Sequence, residues 1–286
     1  MQFWKVESIG NDFVLIHLSD LENVEGAPSA DFQLASLAVQ MCDRKFGIGG
    51  DGLLAVEKSD TGIVLRMFNP DGTEDFCGNG IRCAALHAQQ EGWVATSFTV
   101  THLGREVAVQ IGDDGCIATT LPPASYDPDK VPLIGRRIFN ETVWSGMDSG
   151  MPLSLFGSGL TTGSTHVIIP TAQLPDDDTF QSVSPKIEHD EKFPERTSVI
   201  WSQEIESNVL QIRIWERGVG ETLGCGTGSA AAAIDYLRRK NRGGRVEVRN
   251  PGGTVFVTAE TWESPILIEG SAHVVYKGRF RNTATP

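Results

Sequence analysis

The sequence lacks a long hydrophobic run. No apolar segment of the 286-residue chain reaches the length of a membrane span, and residues 1–7 have neither the basic nor the apolar region of a signal peptide. Positive charge is also scarce, because 24 Lys and Arg stand against 37 Asp and Glu, which gives a net charge of −13. These features predict a soluble cytoplasmic protein whose main partner is neither a nucleic acid nor a membrane.

Paired cysteines are missing as well. The chain has 5 cysteines, an odd number, and it contains no C-x-x-C pair and no cluster of zinc ligands. We therefore expect free thiols in a reducing compartment, with no disulfide framework and no metal site. Motifs of the P-loop, G-x-S-x-G and H-E-x-x-H types are also missing, which argues against the enzyme classes that depend on them.

Two glycine-rich segments, residues 47–52 and 226–231, fit the G-x-G-x-x-[GA] fingerprint of dinucleotide-binding proteins. The first leads into a strand-like run at 53–56 instead of a helix. The second does open a helix, but the strand before it ends near Trp215, too early for the tight strand–turn–helix unit that a dinucleotide requires. The sequence therefore argues against nucleotide binding.

The sequence does contain one phrase written twice. Residues 69–80 read NPDGTEDFCGNG and residues 217–228 read RGVGETLGCGTG, and each runs into an alanine-rich segment that predicts a helix. Cys77 and Cys225 take the same place in the two copies. Because a helix N-terminus stabilises a thiolate and presents N–H groups to an anion, each copy predicts a thiol beside a carboxylate-binding turn.

The duplication is wider than the cysteine phrases. Gly10 and Asn11 begin the first strand region, and Gly163 and Ser164 take the equivalent place in the second half. Strand-like segments are found at 13–18, 62–68, 106–111, 165–169, 209–215, 245–249 and 255–259, and helical spacing at 31–42, 81–90 and 229–240. We therefore predict an α/β protein of two homologous β-rich lobes, each wrapped around a central helix, with a boundary near 122–129.

Two opposed thiols suit one reaction in particular. Inverting a stereocentre next to a carboxylate needs a base on one face to take a proton and an acid on the other face to return one, and a thiolate and a thiol can exchange these roles. Taken singly, Cys77 or Cys225 fits equally well as a small residue in a tight turn, but the matched context favours chemistry. Cys42, Cys83 and Cys116 lack that context, and we interpret them as structural.

Other polar candidates lie around these loops. His166 follows the repeated glycine motif, and Glu216 and Arg217 end a strand just before the second cysteine loop. Such residues are more often packing or surface charge, but the position of these three favours a site. Asn11 and Asn69 lie in loops as hydrogen-bonding amides, where turn formation is the simpler interpretation.

The chain resembles the diaminopimelate epimerase family, whose members interconvert LL- and meso-diaminopimelate without a cofactor. The resemblance covers almost the whole chain and is carried by GNDF at 10–13, FGIGGDG at 46–52, FNPDG at 68–72, CGNGIRC at 77–83, WERG at 215–218 and ETLGCGTG at 221–228. It implies two pseudo-symmetric lobes with barrel-like sheets. The first lobe would be residues 1–124 with 272–286, the second residues 125–271, and the active site would lie at their interface.

The resemblance also implies residue roles. Cys77 and Cys225 would be the acid–base pair of a homodimeric enzyme that acts on a small-molecule amino acid, with no pyridoxal phosphate, metal or other cofactor. The first turns of the two cysteine helices would bind the reacting carboxylate. The full set of implied substrate-binding residues is Asn11, Asn69, Gly78, Asn79, Ser164, His166, Ser198, Glu216, Arg217, Gly226 and Thr227.

Two positions depart from the family pattern. Ser164 and Ser198 stand where the family has substrate-holding asparagines, so the inversion site is complete while recognition of the far end of the substrate is changed. Diaminopimelate epimerisation is the first hypothesis, and a racemase or epimerase of the same fold with another amino-acid substrate is the second. A non-catalytic amino-acid-binding protein and a redox protein with a Cys77–Cys225 disulfide are weaker alternatives, because both cysteines are kept and reactive pairs usually come as C-x-x-C.

Overall fold

The computed structural model of the chain describes residues 1–21, 29–148 and 150–281. Contacts divide the chain into two compact units: Met1–Thr119 with Gly270–Pro286, called unit 1 below, and Thr120–Glu269, called unit 2. Both are mixed α/β and rich in strands, which confirms the predicted fold class. Within the described ranges, no helix is both long enough and apolar enough to cross a membrane.

The described residues form seventeen strands and four α-helices. The strands are β1 Gln2–Ser8, β2 Asn11–His17, β3 Gly52–Lys58, β4 Gly62–Phe68, β5 Ser97–His102, β6 Arg105–Ile111, β7 Ile117–Leu121, β8 Glu141–Asp148, β9 Met151–Thr161, β10 Thr165–Thr171, β11 Ser198–Glu206, β12 Val209–Glu216, β13 Gly220–Thr222, β14 Gly244–Asn250, β15 Gly253–Ala259, β16 Ile266–Gly270 and β17 His273–Arg279. The helices are α1 Ala30–Cys42, α2 Gly78–Gln90, α3 Asp177–Glu188 and α4 Gly226–Arg239, and a short 3-10 turn occupies Leu18–Asp20.

Unit 1 is built from two parallel crossovers. Strands β2 and β3 run parallel on either side of α1 in the sequence, and β4 and β5 run parallel on either side of α2. The other pairs are antiparallel: β1 with β2 and β17, β3 with β4, β5 with β6, and β6 with β7. Leu54 packs in the hydrophobic cluster of α2, and its neighbour Leu53 in that of α1. Because side chains alternate along a strand, the two helices cover opposite faces of the sheet.

Unit 2 repeats this topology. Strand β9 pairs antiparallel with β8 and β10, β10 runs parallel to β11 across α3, and β12 runs parallel to β14 across α4. Strands β11 and β12, and β14 and β15, close the antiparallel pairs. The order strand, strand, helix, strand, strand, helix, strand, strand is thus shared by β1–β6 of unit 1 and β9–β15 of unit 2, apart from the short additional strand β13, which pairs antiparallel with β12.

The second helix of each unit, α2 or α4, is its central one, and it is buried on nearly all sides. In α2 the small side chains Cys83, Ala84 and Ala85 have no exposed surface, and in α4 the same is true of residues 230–233, which are all alanine. Small side chains let the surrounding strands approach the helix closely. The alanine-rich segments after the two cysteines are therefore core elements, as the sequence predicts.

The helices differ from the predictions in two respects. Helices α2 and α4 begin at Gly78 and Gly226, earlier than the predicted starts at 81 and 229, because each cysteine already caps its helix. Helix α3 was not predicted at all. Asp176 caps it and its apolar positions have helical spacing, but Pro185 and the acidic start conceal the pattern.

Candidate active site

Cys77 is the N-cap of α2. Its backbone is extended, with φ −138° and ψ 109°, and its sulfur accepts a hydrogen bond from the N–H of Gly80 at 3.4 Å. The helix therefore starts directly after the thiol. The first N–H groups of a helix have no carbonyl acceptor within that helix, so this turn is suited to an anion.

Cys225 caps α4 in nearly the same geometry. Its φ is −133° and its ψ 113°, and its sulfur accepts from the N–H of Gly228 at 3.3 Å. Cys225 is buried whereas Cys77 is partly exposed, and neither forms a disulfide. Each unit thus presents a thiol at the start of its central helix, and the resemblance in the two sequence phrases becomes a resemblance in backbone geometry.

The third residue of each helix is a glycine for a packing reason. A Cβ on Gly80 would lie 2.9 Å from a methyl group of Leu54 on β3, and a Cβ on Gly228 would lie 2.8 Å from a methyl group of Ile200 on β11. Both distances are shorter than a normal contact between carbon atoms, so any side chain here would push the helix away from the strand. These glycines let the first turn of each helix, and with it the capping cysteine, lie close to the neighbouring strand.

Two residues that the sequence reasoning missed hold the cysteine backbones. His102, at the end of β5, accepts a hydrogen bond from the Cys77 N–H at its Nε2, at 3.2 Å, and Asn250, at the end of β14, accepts from the Cys225 N–H at 3.4 Å. Each follows its cysteine by the same number of residues, 25. Aligning the two halves on the cysteines would have revealed this pair of polar residues at one shared position.

In unit 1, amide groups surround the thiol. Asn11 donates its Nδ2 to the Asp51 carboxylate at 2.7 Å, which fixes the orientation of the amide because a carboxylate can only accept. Its Oδ1 then accepts from Asn79 at 3.2 Å and lies 4.0 Å from the Cys77 sulfur. Asn79 in turn accepts from the buried Arg82. Three predicted site residues of unit 1, together with Gly78, are therefore in one place.

In unit 2, hydroxyl groups lie next to the cysteine where unit 1 has amide groups. Ser164 Oγ lies 3.0 Å from His166 Nε2 and 3.1 Å from Thr227 Oγ1, and Thr227 Oγ1 lies 3.5 Å from the Cys225 sulfur. Thr162 fixes the other side of Thr227 by donating to its carbonyl at 2.8 Å. Four predicted residues thus form one chain of polar contacts, with Gly226 beside it in the first turn of α4.

Burial sets the charge of two groups in unit 2. The pKa of the Cys225 thiol is raised far above its usual value, first by burial and then by the negative charge of Glu216, although contacts with Thr227 and Gly228 act in the opposite direction. Burial, together with the positive charge of Arg217, lowers the pKa of His166 to about 3. In this structure Cys225 is therefore a thiol and His166 a neutral imidazole at ordinary pH.

The remaining predicted residues lie at strand ends. Ser198 Oγ accepts from the Arg217 N–H at 3.1 Å, while the Arg217 side chain is exposed and donates to the Glu195 carbonyl. Glu216 accepts from Thr222 at 2.6 Å. Asn69 donates to Thr73 at 3.1 Å within the turn after β4, a contact that supports its simpler interpretation as a turn residue.

The other three cysteines lie outside these arrangements. Burial raises the pKa of Cys42 to about 12 and that of Cys83 well above its usual value, so both are inert thiols in the core. Cys116 lies in the turn between β6 and β7, where its N–H donates to Asp114 at 3.0 Å. Across the described parts of the chain, no three His, Cys, Asp or Glu side chains form a group that could hold a metal ion.

Comparison with known proteins identifies the family. A model of the family described as diaminopimelate epimerase matches residues 3–125 and 160–275, which include both cysteine phrases. The chain belongs to the diaminopimelate epimerase family. It is 32% identical to the diaminopimelate epimerase of Desulforudis audaxviator over 98% of this chain and 99% of that protein, and 35% identical to that of Methanothrix thermoacetophila over 97% and 95%. Membership confirms the predicted enzyme class, an isomerase of the pyridoxal-phosphate-independent amino-acid epimerase type.

Solved structures show how widely the fold of this epimerase family is used. A probable proline racemase from Agrobacterium radiobacter, with bound carbonate, superposes with a TM-score of 0.66 at 13% identity, covering 100% of this chain and 94% of that one. A phenazine biosynthesis protein of the PhzF family from Bacillus anthracis gives 0.63 at 18% identity, covering 98% and 99%. At such low identity the likeness concerns the fold alone.

Proposed function

We propose that the chain inverts the configuration at the α-carbon of an amino acid by a two-base reaction of Cys77 and Cys225. One observation carries the proposal: both cysteines cap the central helix of their unit with nearly the same backbone geometry. Two equivalent half-sites, each with a thiol and the first turn of a helix, suit a reaction in which the two faces of one carbon are treated alike.

The chemistry follows from these groups. One cysteine, as a thiolate, takes the α-proton, and the electron pair of the broken C–H bond is delocalised onto the carboxylate. The other cysteine, as a thiol, gives its proton to the opposite face, so that thiol and thiolate have exchanged places at the end of the turnover. N–H groups of the helix starts at Gly78 and Gly226 would stabilise the charge that develops on the carboxylate. The reaction requires both thiols to reach the same α-carbon.

The resting charge of the half-site in unit 2 follows from its surroundings. Burial and Glu216 keep the Cys225 pKa high, so we infer that Cys225 holds a proton before the substrate arrives. It would then act as the acid in the first turnover, and Cys77 as the base. Product formation reverses these roles, and the enzyme must return to the starting state through the reverse reaction or through proton exchange with water.

Diaminopimelate is the substrate that the relatives favour. The curated relatives from Desulforudis audaxviator and Methanothrix thermoacetophila both bear the name diaminopimelate epimerase. We infer that this chain interconverts the LL and meso forms, a step toward lysine and peptidoglycan precursors. A second candidate, an epimerase for another amino acid, is favoured by Ser164 and Ser198, because their hydroxyls are bonded to protein groups and are shorter than the expected amides.

Solvent deuterium incorporation at Cα separates the two candidates. The purified protein is incubated in D₂O with LL-diaminopimelate, meso-diaminopimelate, lysine, histidine or glutamate, and exchange is followed by NMR. We expect exchange with both diaminopimelate isomers. Exchange with another amino acid and none with diaminopimelate would overturn the substrate assignment. In that case the double change Ser164→Asn with Ser198→Asn should raise exchange with diaminopimelate.

The two-base mechanism has its own test. Cys77→Ala and Cys225→Ala should each abolish racemisation, since either change leaves one face of the α-carbon without a proton donor or acceptor. The matched control is Cys116→Ala, which removes a partly exposed thiol outside both half-sites. Full racemisation by either of the first two variants would refute the mechanism.

A further inference from the structure

Ser164 occupies a position between two groups of the half-site in unit 2. Its Oγ contacts the imidazole of His166 at 3.0 Å and the hydroxyl of Thr227 at 3.1 Å, and the latter contacts the Cys225 sulfur at 3.5 Å. The result is a chain of four polar atoms that begins at a buried histidine and ends at the reactive thiol.

The equivalent residues of unit 1 show that this chain is a variation on a shared contact. By sequence and strand position Ser164 corresponds to Asn11, and Thr227 corresponds to Asn79. Asn11 and Asn79 are hydrogen-bonded at 3.2 Å, as Ser164 and Thr227 are at 3.1 Å. In both units the residue at the start of the strand is thus bonded to the second residue of the cysteine helix. In unit 2 both partners, Ser164 and Thr227, are shorter than the asparagines of unit 1, and the hydrogen bond between the two positions is kept.

His166 determines which atom donates in each hydrogen bond of the row from His166 to Cys225 in unit 2. His166 is fully buried, and its Nδ1 has no hydrogen-bond partner among the residues that the structure describes. Placing the one proton of the neutral imidazole on Nε2 lets it donate to Ser164. Ser164 then donates to Thr227, and Thr227 donates to the sulfur, so that every donor in the chain has an acceptor.

This direction suits the proposed acid. A hydroxyl that donates to sulfur stabilises the thiolate that remains after proton transfer, and it leaves the S–H bond free to point elsewhere. Glu216, on β12, is the charged group that acts against it, since its carboxylate favours the thiol. Arg217, the residue directly after that strand, adds positive charge near His166. No proton has to move along the chain, because only the orientation of the donors matters.

We propose that Ser164 is a positioning residue that links His166 to Thr227 and thereby holds the Thr227 hydroxyl as a donor to Cys225, instead of contacting the far end of the substrate. The proposal rests on the proposed function, because it assigns a role within the same reaction. It also predicts that the serine at this position is compatible with an unchanged substrate.

The kinetic test compares Ser164→Ala with Ser164→Thr. Loss of the hydroxyl should lower kcat for diaminopimelate about tenfold and leave KM within about twofold, as expected for an interaction used in the transition state. The threonine variant keeps the hydroxyl and should restore most of kcat. Ser145→Ala is the matched control, since it breaks a hydroxyl–hydroxyl pair with Ser154 on the surface of the same unit. A rise in KM with unchanged kcat would show that Ser164 contacts the substrate and would overturn the proposal.

A second variant protects the test against a folding defect. Thr227→Val interrupts the same chain from its other side, and the double variant with Ser164→Ala should be no slower than the slower single variant. Additive losses would show that the two hydroxyls act separately, which would contradict the proposal.

A measurement that needs no substrate distinguishes failure of this inference from failure of the proposed function. Iodoacetamide alkylates thiolates, so the rate at Cys225, resolved by mass spectrometry of its peptide at a fixed pH, follows the thiolate population. We expect this rate to fall about fivefold in Ser164→Ala, with Cys116 in the same digest as the reference. If the wild-type protein exchanges no α-proton, the proposed function is wrong, and the alkylation rates still decide the role of Ser164. An unchanged alkylation rate would overturn the inference even in an active enzyme.

Discussion

His102 and Asn250 take equivalent positions in the two units: each lies at the end of the strand after the central helix and accepts a hydrogen bond from the N–H of the cysteine that caps that helix. His102 Nδ1 lies 3.0 Å from the Leu65 carbonyl, which can only accept, so Nδ1 carries the proton and Nε2 is the acceptor for Cys77. Burial lowers the pKa of His102 and so favours this neutral form. An imidazole in one unit and an amide in the other thus provide the acceptor for the backbone N–H of the capping cysteine.

This equivalence predicts the outcome of exchanging the side chains. His102→Ala leaves the Cys77 N–H without its acceptor and should cost about 1–3 kcal/mol of unfolding free energy, with a loss of activity because the cap shifts. His102→Asn should recover part of both, since Asn250 holds Cys225 with the same side chain. Urea unfolding and α-proton exchange rates measure the two effects. If alanine and asparagine behave alike, the N–H acceptor is not what matters at this position.

The glycines of the first helical turn should separate packing from chemistry. A Cβ at Gly80 would lie 2.9 Å from Leu54, so Gly80→Ala should destabilise unit 1 by about 1–3 kcal/mol. A Cβ at Gly78 meets no atom within 4 Å, and alanine favours a helix, so Gly78→Ala should fold with unchanged or slightly higher stability.

Gly78→Ala, which should not lower stability, should have the more direct effect on substrate binding. We expect Gly78→Ala to raise KM roughly tenfold at full stability, because its methyl group would lie in open space beside the N–H groups to which we propose that the carboxylate binds. Thermal unfolding and exchange kinetics of the two variants provide the measurement. Unchanged kinetics of a folded Gly78→Ala protein would argue against carboxylate binding at this turn.

Buried histidines should make the protein sensitive to acid. Burial and the neighbouring His17 lower the pKa of His87 from its usual 6.5 to about 4. Between these values the unfolded chain binds a proton that the native protein does not, so stability rises with pH. On acidification, His87 lowers the free energy of unfolding by about 1.4 kcal/mol per pH unit, to a total of about 3 kcal/mol near pH 4. Above pH 6.5 its contribution does not change with pH.

The contribution of His87 can be isolated by substitution. Urea unfolding at a series of pH values should show a shallower slope below pH 6.5 in His87→Gln than in the wild type. His189→Gln, at an exposed position, is the control and should keep the wild-type slope. His166, with its pKa lowered to about 3, should continue the decline below pH 4. A slope that is the same in all three proteins would contradict the assignment.

Arg238, near the end of α4, is surrounded by aromatic rings. Its guanidinium carbon lies 3.8 Å from the ring centre of Phe139, 3.9 Å from that of Tyr126 and 4.5 Å from that of Trp262. Arg238→Ala should therefore cost about 2–3 kcal/mol, from cation–π contacts and lost packing. Arg245→Ala, which removes a half-exposed contact with the single ring of Phe256 and an ion pair with Glu269, should cost less, about 0.5–1 kcal/mol. Urea unfolding followed by tryptophan fluorescence measures both, and equal losses would show that the three rings add nothing.

The repeated features of the chain could be predicted from its sequence. Matching phrases around Cys77 and Cys225 predicted two lobes and two central helices, because alanine-rich helical spacing and glycine-rich turns are local signals. The reason for Gly80 could not be predicted, since it depends on a contact with Leu54 on a different strand. Helix α3 was missed because its single apolar face is interrupted by Pro185.

The candidate site was predictable in its residues and less so in their contacts. Ser164 was singled out by sequence as a departure, but its bond to His166 depends on how β10 leaves the preceding turn. Likewise His102 and Asn250 lie in no recognisable motif, and only their equal spacing from the two cysteines distinguishes them in the sequence. The orientation of Asn11 is set by Asp51, a residue distant in sequence, and only the fold brings the two together.

The contact between strand start and helix start is made by two amides in unit 1 and by two hydroxyls in unit 2. Duplication has therefore left two copies of one framework that can accumulate different substitutions. The backbone positions of the thiols are held by glycines and strand ends, so the polar pair in one copy can change without moving its cysteine. An engineer could exploit this independence by redesigning the polar pair of one unit while leaving that of the other unit untouched.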